Sequence, residues 1–83
     1  MNGSESVAAA RRIAALPSPE ARRAALAEIP PDFQDLVRQT ATNLRAVALH
    51  WMKRAEGGLP LSQIPPAVRE TIEELFPGAL GKV

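Results

Sequence analysis

Cysteine and tyrosine are absent from this chain, which holds one histidine, one tryptophan and two phenylalanines among its 83 residues. Without thiolates, zinc sites of four cysteines, or of two cysteines and two histidines, are excluded, and so is a disulfide-stapled secreted scaffold. No metal and no cofactor are expected, and the reducing cytoplasm is the default compartment. A charge excess is missing too: 10 Lys and Arg stand against 9 Asp and Glu, a net charge of +1. No overall field therefore draws the chain onto nucleic acid or an anionic membrane. No apolar run approaches the roughly 20 residues of a membrane span. The opening Met1-Asn2-Gly3-Ser4-Glu5 lacks the basic-then-apolar order of a secretory signal. A phosphate-cradling loop is absent as well, because Gly57-Gly58 runs into Leu59-Pro60 with no P-loop lysine.

What is present is proline, at 17, 19, 30, 31, 60, 65, 66 and 77, and between these positions apolar residues recur with a period near 3.6. The pattern predicts an all-α fold, a small bundle of about four helices in a single domain over residues 1–83. The helices are expected at about 5–16, 19–28, 32–56 and 66–76, followed by a flexible tail at 77–83 with no evident anchor. Ser4 is the expected cap of the first helix, with Glu5 suiting its positive end. Ser18-Pro19-Glu20 restarts a short second helix, serine capping and proline in the first turn. Ala21, Ala25, Leu26 and Ile29 are available there for burial, with Arg22 and Arg23 towards solvent.

The third helix dominates. Its apolar positions are Phe33, Leu36, Val37, Thr40, Ala41, Leu44, Val47, Ala48, Trp51, Met52 and Ala55, and Gly57-Gly58 stops it. At 1.5 Å per residue it would measure about 36 Å, longer than a compact domain of this size needs. The fourth helix carries Val68, Ile72, Leu75 and Phe76 on one side and Arg69, Glu70, Glu73 and Glu74 on the other. Ile29-Pro30-Pro31 and Ile64-Pro65-Pro66 echo one another, each isoleucine being followed four and eight positions later by apolar residues. The spacing reads as a reused helix start in which isoleucine folds back on the first turn.

Catalytic chemistry finds few residues to work with. The hydroxyls are Ser4, Ser6, Ser18, Ser62, Thr40, Thr42 and Thr71, and only His50 could serve as an imidazole base. Ser4, Ser18 and Ser62 fall at helix starts or in a linker, where capping explains them. Asp32 and Asp35 are expected in the first turn of the long helix, which favours negative charge for structural reasons. The chain is therefore expected not to be an enzyme. Nucleic-acid binding is the stronger rival: Arg11, Arg12, Arg22 and Arg23, with Arg38, Arg45, Lys53 and Arg54, could contact phosphates if the fold gathered them. The two short helices imitate a helix-turn-helix in outline. Against it, the second helix offers no Asn, Gln, Ser or Thr to read bases, and acids alternate with the arginines. The long helix has polar residues in place of the dense basic face of an interfacial helix, so no membrane partner is expected.

The positive signal is a mismatch between apolar pattern and available core. Much of the hydrophobic fraction is alanine, so the larger buried chains must come chiefly from the third and fourth helices. A monomer would then be marginal: ordering costs about 1–2 kcal/mol per residue and burying a large side chain returns roughly 1.5–3 kcal/mol. A homodimer or another partner would relieve this, with the Phe33-to-Trp51 stripe as a seam. Leu44, Val47, His50, Trp51, Met52 and Arg54 form the expected partner-binding patch, aromatic and basic together.

Ala8-Ala9-Ala10-Arg11-Arg12 and Leu16-Pro17-Ser18-Pro19-Glu20-Ala21-Arg22-Arg23-Ala24-Ala25-Leu26, with the Ile-Pro-Pro helix that follows, resemble the small Ala/Arg-rich helical proteins of temperate phages and prophages of high-GC bacteria. The resemblance covers about the first half of the chain and carries no binding residue with it. It implies an accessory protein that occupies and modulates a bacterial host protein, such as a type IV pilus ATPase, a quorum-sensing regulator or a CRISPR effector. The alternatives are a small nucleic-acid-binding transcriptional regulator using the arginine pairs, and a structural or assembly subunit.

Overall fold

The computed structural model describes residues 1–82, which contain four α-helices and no strand. They are α1 (Gly3–Ala14), α2 (Pro19–Ala27), α3 (Pro31–Glu56) and α4 (Pro66–Leu75), with single 3₁₀ turns at Leu61–Gln63 and Leu80–Lys82. The all-α architecture is the expected one, and the long α3 packs against the shorter helices. The chain divides after Leu44 into two compact units, and α3 contributes residues to each.

In the first unit, α1 begins at Gly3 and its cap is Asn2, not Ser4. The Asn2 side-chain oxygen accepts the Glu5 N–H at 2.9 Å, and the Asn2 N–H donates to Glu5 Oε1 at 3.1 Å. This reciprocal box satisfies two backbone donors, more than Ser4 alone could. The helix ends at Ala14 and not at Leu16, since the residue before a proline is pushed out of the α region. Ser18 caps α2 as expected, its hydroxyl accepting the Ala21 N–H at 3.1 Å. Ala9, Ala10, Ile13, Ala14, Val37 and Ala41 are buried. No residue of α2 is fully buried, and Ala21, Ala25, Leu26 and the following Ile29 are each half-buried. Arg22 departs from expectation: it is half-buried, and its guanidinium donates to the Leu16 carbonyl at 2.8 Å. Leu36, placed on the apolar stripe by its spacing, is 51% exposed, because it lies about 100° round the helix from buried Val37.

In the second unit, Ala48 and Ala55 of α3 are buried with Ile64, Ile72, Leu75 and Leu80. The large buried side chains here thus come from the linker, α4 and the final turn, and not from α3 as the stripe suggested. Val47, on that stripe, is 43% exposed. Gly58, at φ +108°, ends α3. The Leu59 N–H reaches the Arg54 carbonyl at 3.0 Å and the Gly58 N–H reaches that of Ala55 at 3.1 Å. These two bonds close a Schellman motif, which needs a positive φ that glycine adopts without steric cost. After α4 the chain does have an anchor: Leu80 is buried in the last 3₁₀ turn. Val83, the end of the expected tail, lies outside the described residues.

Candidate protein-docking site

Residues of the expected partner patch are split between the units. Leu44 closes the first and is half-buried. Val47, His50, Trp51, Met52 and Arg54 belong to the second, on the part of α3 that ends at the Gly57-Gly58 stop. Ala48 and Ala55 face the core, so the residues beside them on the helical net fall at its edge. Trp51 and Met52 are half-buried, and Val47, His50 and Arg54 are exposed.

Three of these residues touch. The Arg54 guanidinium lies over the Trp51 ring, 4.8 Å from its centroid, and the His50 ring meets Trp51 edge-on at 5.9 Å and 87°. Helical spacing sets up the first contact, because residues three apart share a face. A guanidinium over an indole is attractive by about 0.5–1 kcal/mol at an exposed site, enough to bias the rotamer of Arg54. Arg45 makes a second such contact, 5.2 Å above the ring of Phe76, which ties the start of this stretch to the end of α4. Val47 and His50, four and one residues before Trp51 on α3, extend the exposed face. Leu49, 48% exposed, also reaches solvent from this segment and was not singled out by spacing, which places it off the stripe.

The four arginines of the nucleic-acid alternative all lie in the first unit. Arg22 is tied to the Leu16 carbonyl, and Arg23 stands 3.8 Å from Glu20. Arg11 is half-buried and also engaged, whereas Arg12 is exposed. Arg12 and Glu28 flank a groove of about 420 Å³ between α1 and α2, floored by Ile13, Leu16, Ala25 and Ile29.

The hydroxyls weighed for catalysis serve the backbone in several cases. Ser6, Thr40 and Thr71 donate to the carbonyls of Asn2, Leu36 and Ala67 at 3.0, 2.8 and 3.0 Å, each four residues back, and Ser18 caps α2. Asp35 pairs with Arg38 at 2.6 Å on an exposed face, leaving Asp32 as the acid of the first turn of α3. Among the described residues, no three His, Cys, Asp or Glu side chains gather as a metal site would require, and no helix is long and apolar enough to cross a membrane. No known protein family, curated protein or solved structure matches the chain.

Proposed function

We propose that this chain is a non-catalytic helical protein that acts by binding another protein, with Val47, His50, Trp51 and Arg54 of α3 as the docking face. The observation that carries the reading is the partly buried Trp51 with Arg54 already stacked on it. Tryptophan and arginine are the residue types most enriched where binding energy concentrates, and a pre-stacked pair loses less rotamer freedom on association. Beside it, Val47 supplies apolar area that this protomer leaves in water.

In its fuller form the proposal takes its partner class from the resemblance to phage accessory proteins: a bacterial host protein whose activity is modulated by being occupied. The chain would work in the cytoplasm, as a homodimer. The bond from Arg22 to the Leu16 carbonyl weighs against the nucleic-acid alternative, since that guanidinium already has a partner. Affinity capture from a bacterial lysate, run in parallel with wild type and Arg54→Glu, tests the reading. One protein retained at high salt by wild type and lost by the variant is the expected result. Equal capture by both removes this face from the proposal. Light scattering across a concentration range tests the dimer, and a concentration-independent monomer removes that part.

A further inference from the structure

Asn2 is followed by Gly3, and this dipeptide carries a chemistry that the capping role of Asn2 leaves unused. The Gly3 nitrogen and the Asn2 amide carbon, Cγ, are the two atoms that close a five-membered succinimide. Glycine puts no side chain in the way, and both residues are exposed. Gly3 opens α1, so its N–H has no acceptor within the helix and is free to lose its proton. The other asparagine, Asn43, is followed by Leu44 inside α3, where the next nitrogen is bonded in the helix and screened by a branched side chain.

The fold sets a condition on ring closure. At ψ −178° the Gly3 nitrogen is staggered against the Asn2 Cβ, whereas the ring needs the two nearly eclipsed. The reciprocal bonds with Glu5, at 2.9 and 3.1 Å, hold the Asn2 side chain and backbone in the staggered arrangement. Ser6 adds two more, its N–H at 2.9 Å and its hydroxyl at 3.0 Å both donating to the Asn2 carbonyl.

We infer that Asn2-Gly3 is a site of spontaneous deamidation whose rate is set by opening of the α1 capping box. When the box opens, the deprotonated Gly3 nitrogen attacks Asn2 Cγ and the Cγ–Nδ2 bond breaks. Ammonia leaves, carrying by way of solvent the proton lost from Gly3. Water then opens the ring at one of two bonds. Breaking the bond from Cγ to nitrogen leaves aspartate, which still caps the helix. Breaking the bond from the main-chain carbonyl carbon leaves isoaspartate, with the chain rerouted through the side chain. That carbonyl is the acceptor of the Ser6 hydroxyl, and Ser6 is 3% exposed, so only isoaspartate strips a buried donor of its partner.

The test incubates the full-length protein in mildly alkaline buffer, native and in urea, and separates and weighs its peptides. The expected result is conversion of Asn2 to aspartate and isoaspartate with Asn43 intact, faster in urea than in the native state. Glu5→Ala should raise the native rate about fivefold, the factor for losing one cap interaction, and leave the rate in urea unchanged. Glu5→Gln, which keeps the acceptor, should behave as wild type. Gly3→Ala should suppress conversion in both conditions while staying folded by circular dichroism, since an added Cβ there meets no atom within 4 Å. The isolated isoaspartate form should melt below wild type, and the aspartate form should not. No conversion in urea, or conversion that Gly3→Ala leaves untouched, overturns the site. Equal rates in the native state and in urea, a native rate that Glu5→Ala does not raise, or equal acceleration by Glu5→Gln and Glu5→Ala overturns control by the capping box. An isoaspartate form that melts with wild type overturns its effect on the first turn.

Discussion

Asn2 and Gly58 show how single residues set the ends of helices. Asn2 holds the first turn of α1 through two reciprocal bonds with Glu5, so Asn2→Ala should cost about 1 kcal/mol in urea unfolding. Ser4→Ala, inside the helix, should be close to neutral. The Asn-x-x-Glu spacing that marks this box is visible in the sequence. It competes there with Ser4, an equally good cap by residue type, and only the backbone decides between them. At Gly58 an added Cβ would meet no atom within 4 Å, so the penalty of a side chain is conformational alone. Gly58→Ala should destabilise by about 1–2 kcal/mol, the cost of a left-handed backbone for an L-residue, with little change in the core. The glycine pair was legible as a stop because few other residues end a helix this way.

Among the elements, the two Ile-Pro-Pro starts have similar sequences and different burial. Ile64 is 1% exposed, whereas Ile29 is half-buried. Neither helix leans on a serine-type cap. In each, the fourth residue of the helix reaches back: Gln34 donates to the Ile29 carbonyl at 2.9 Å, and Arg69 to the Leu61 carbonyl at 3.0 Å. Ile64→Ala should therefore lose about 2–5 kcal/mol and Ile29→Ala distinctly less, measured by thermal and urea unfolding. The sequence spacing predicted both starts and could not rank them, since burial depends on what packs over each. The same limit explains α3. The rows Leu36/Val47 and Val37/Ala41/Ala48/Ala55 differ by about 100° of rotation, and a period near 3.6 fits both. Only the second is buried, and three of its four members are alanine.

For the molecule as a whole, the sequence made the helix count, the stops and the all-α class legible, because proline and glycine act locally. It grouped His50, Trp51 and Arg54, which do touch one another on α3, but it put Val47 on a packed stripe that the fold leaves exposed. It also left Leu80 without a role, because no local pattern announces its burial. What α3 does not bury is the substance of the functional account: an indole, a guanidinium and a valine left at the surface of a chain with little large apolar side chain to spare.

Trp51→Ala is the most direct trial of that account, with unfolding free energy and capture of the partner measured on one preparation. Trp51 is half-buried, so its loss should cost about 1–2 kcal/mol, below the roughly 3–5 kcal/mol of a fully buried aromatic, while partner capture falls at least tenfold. A variant that unfolds outright, or one that stays folded and binds as wild type does, would contradict the claim that this face of α3 is where the protein meets its partner.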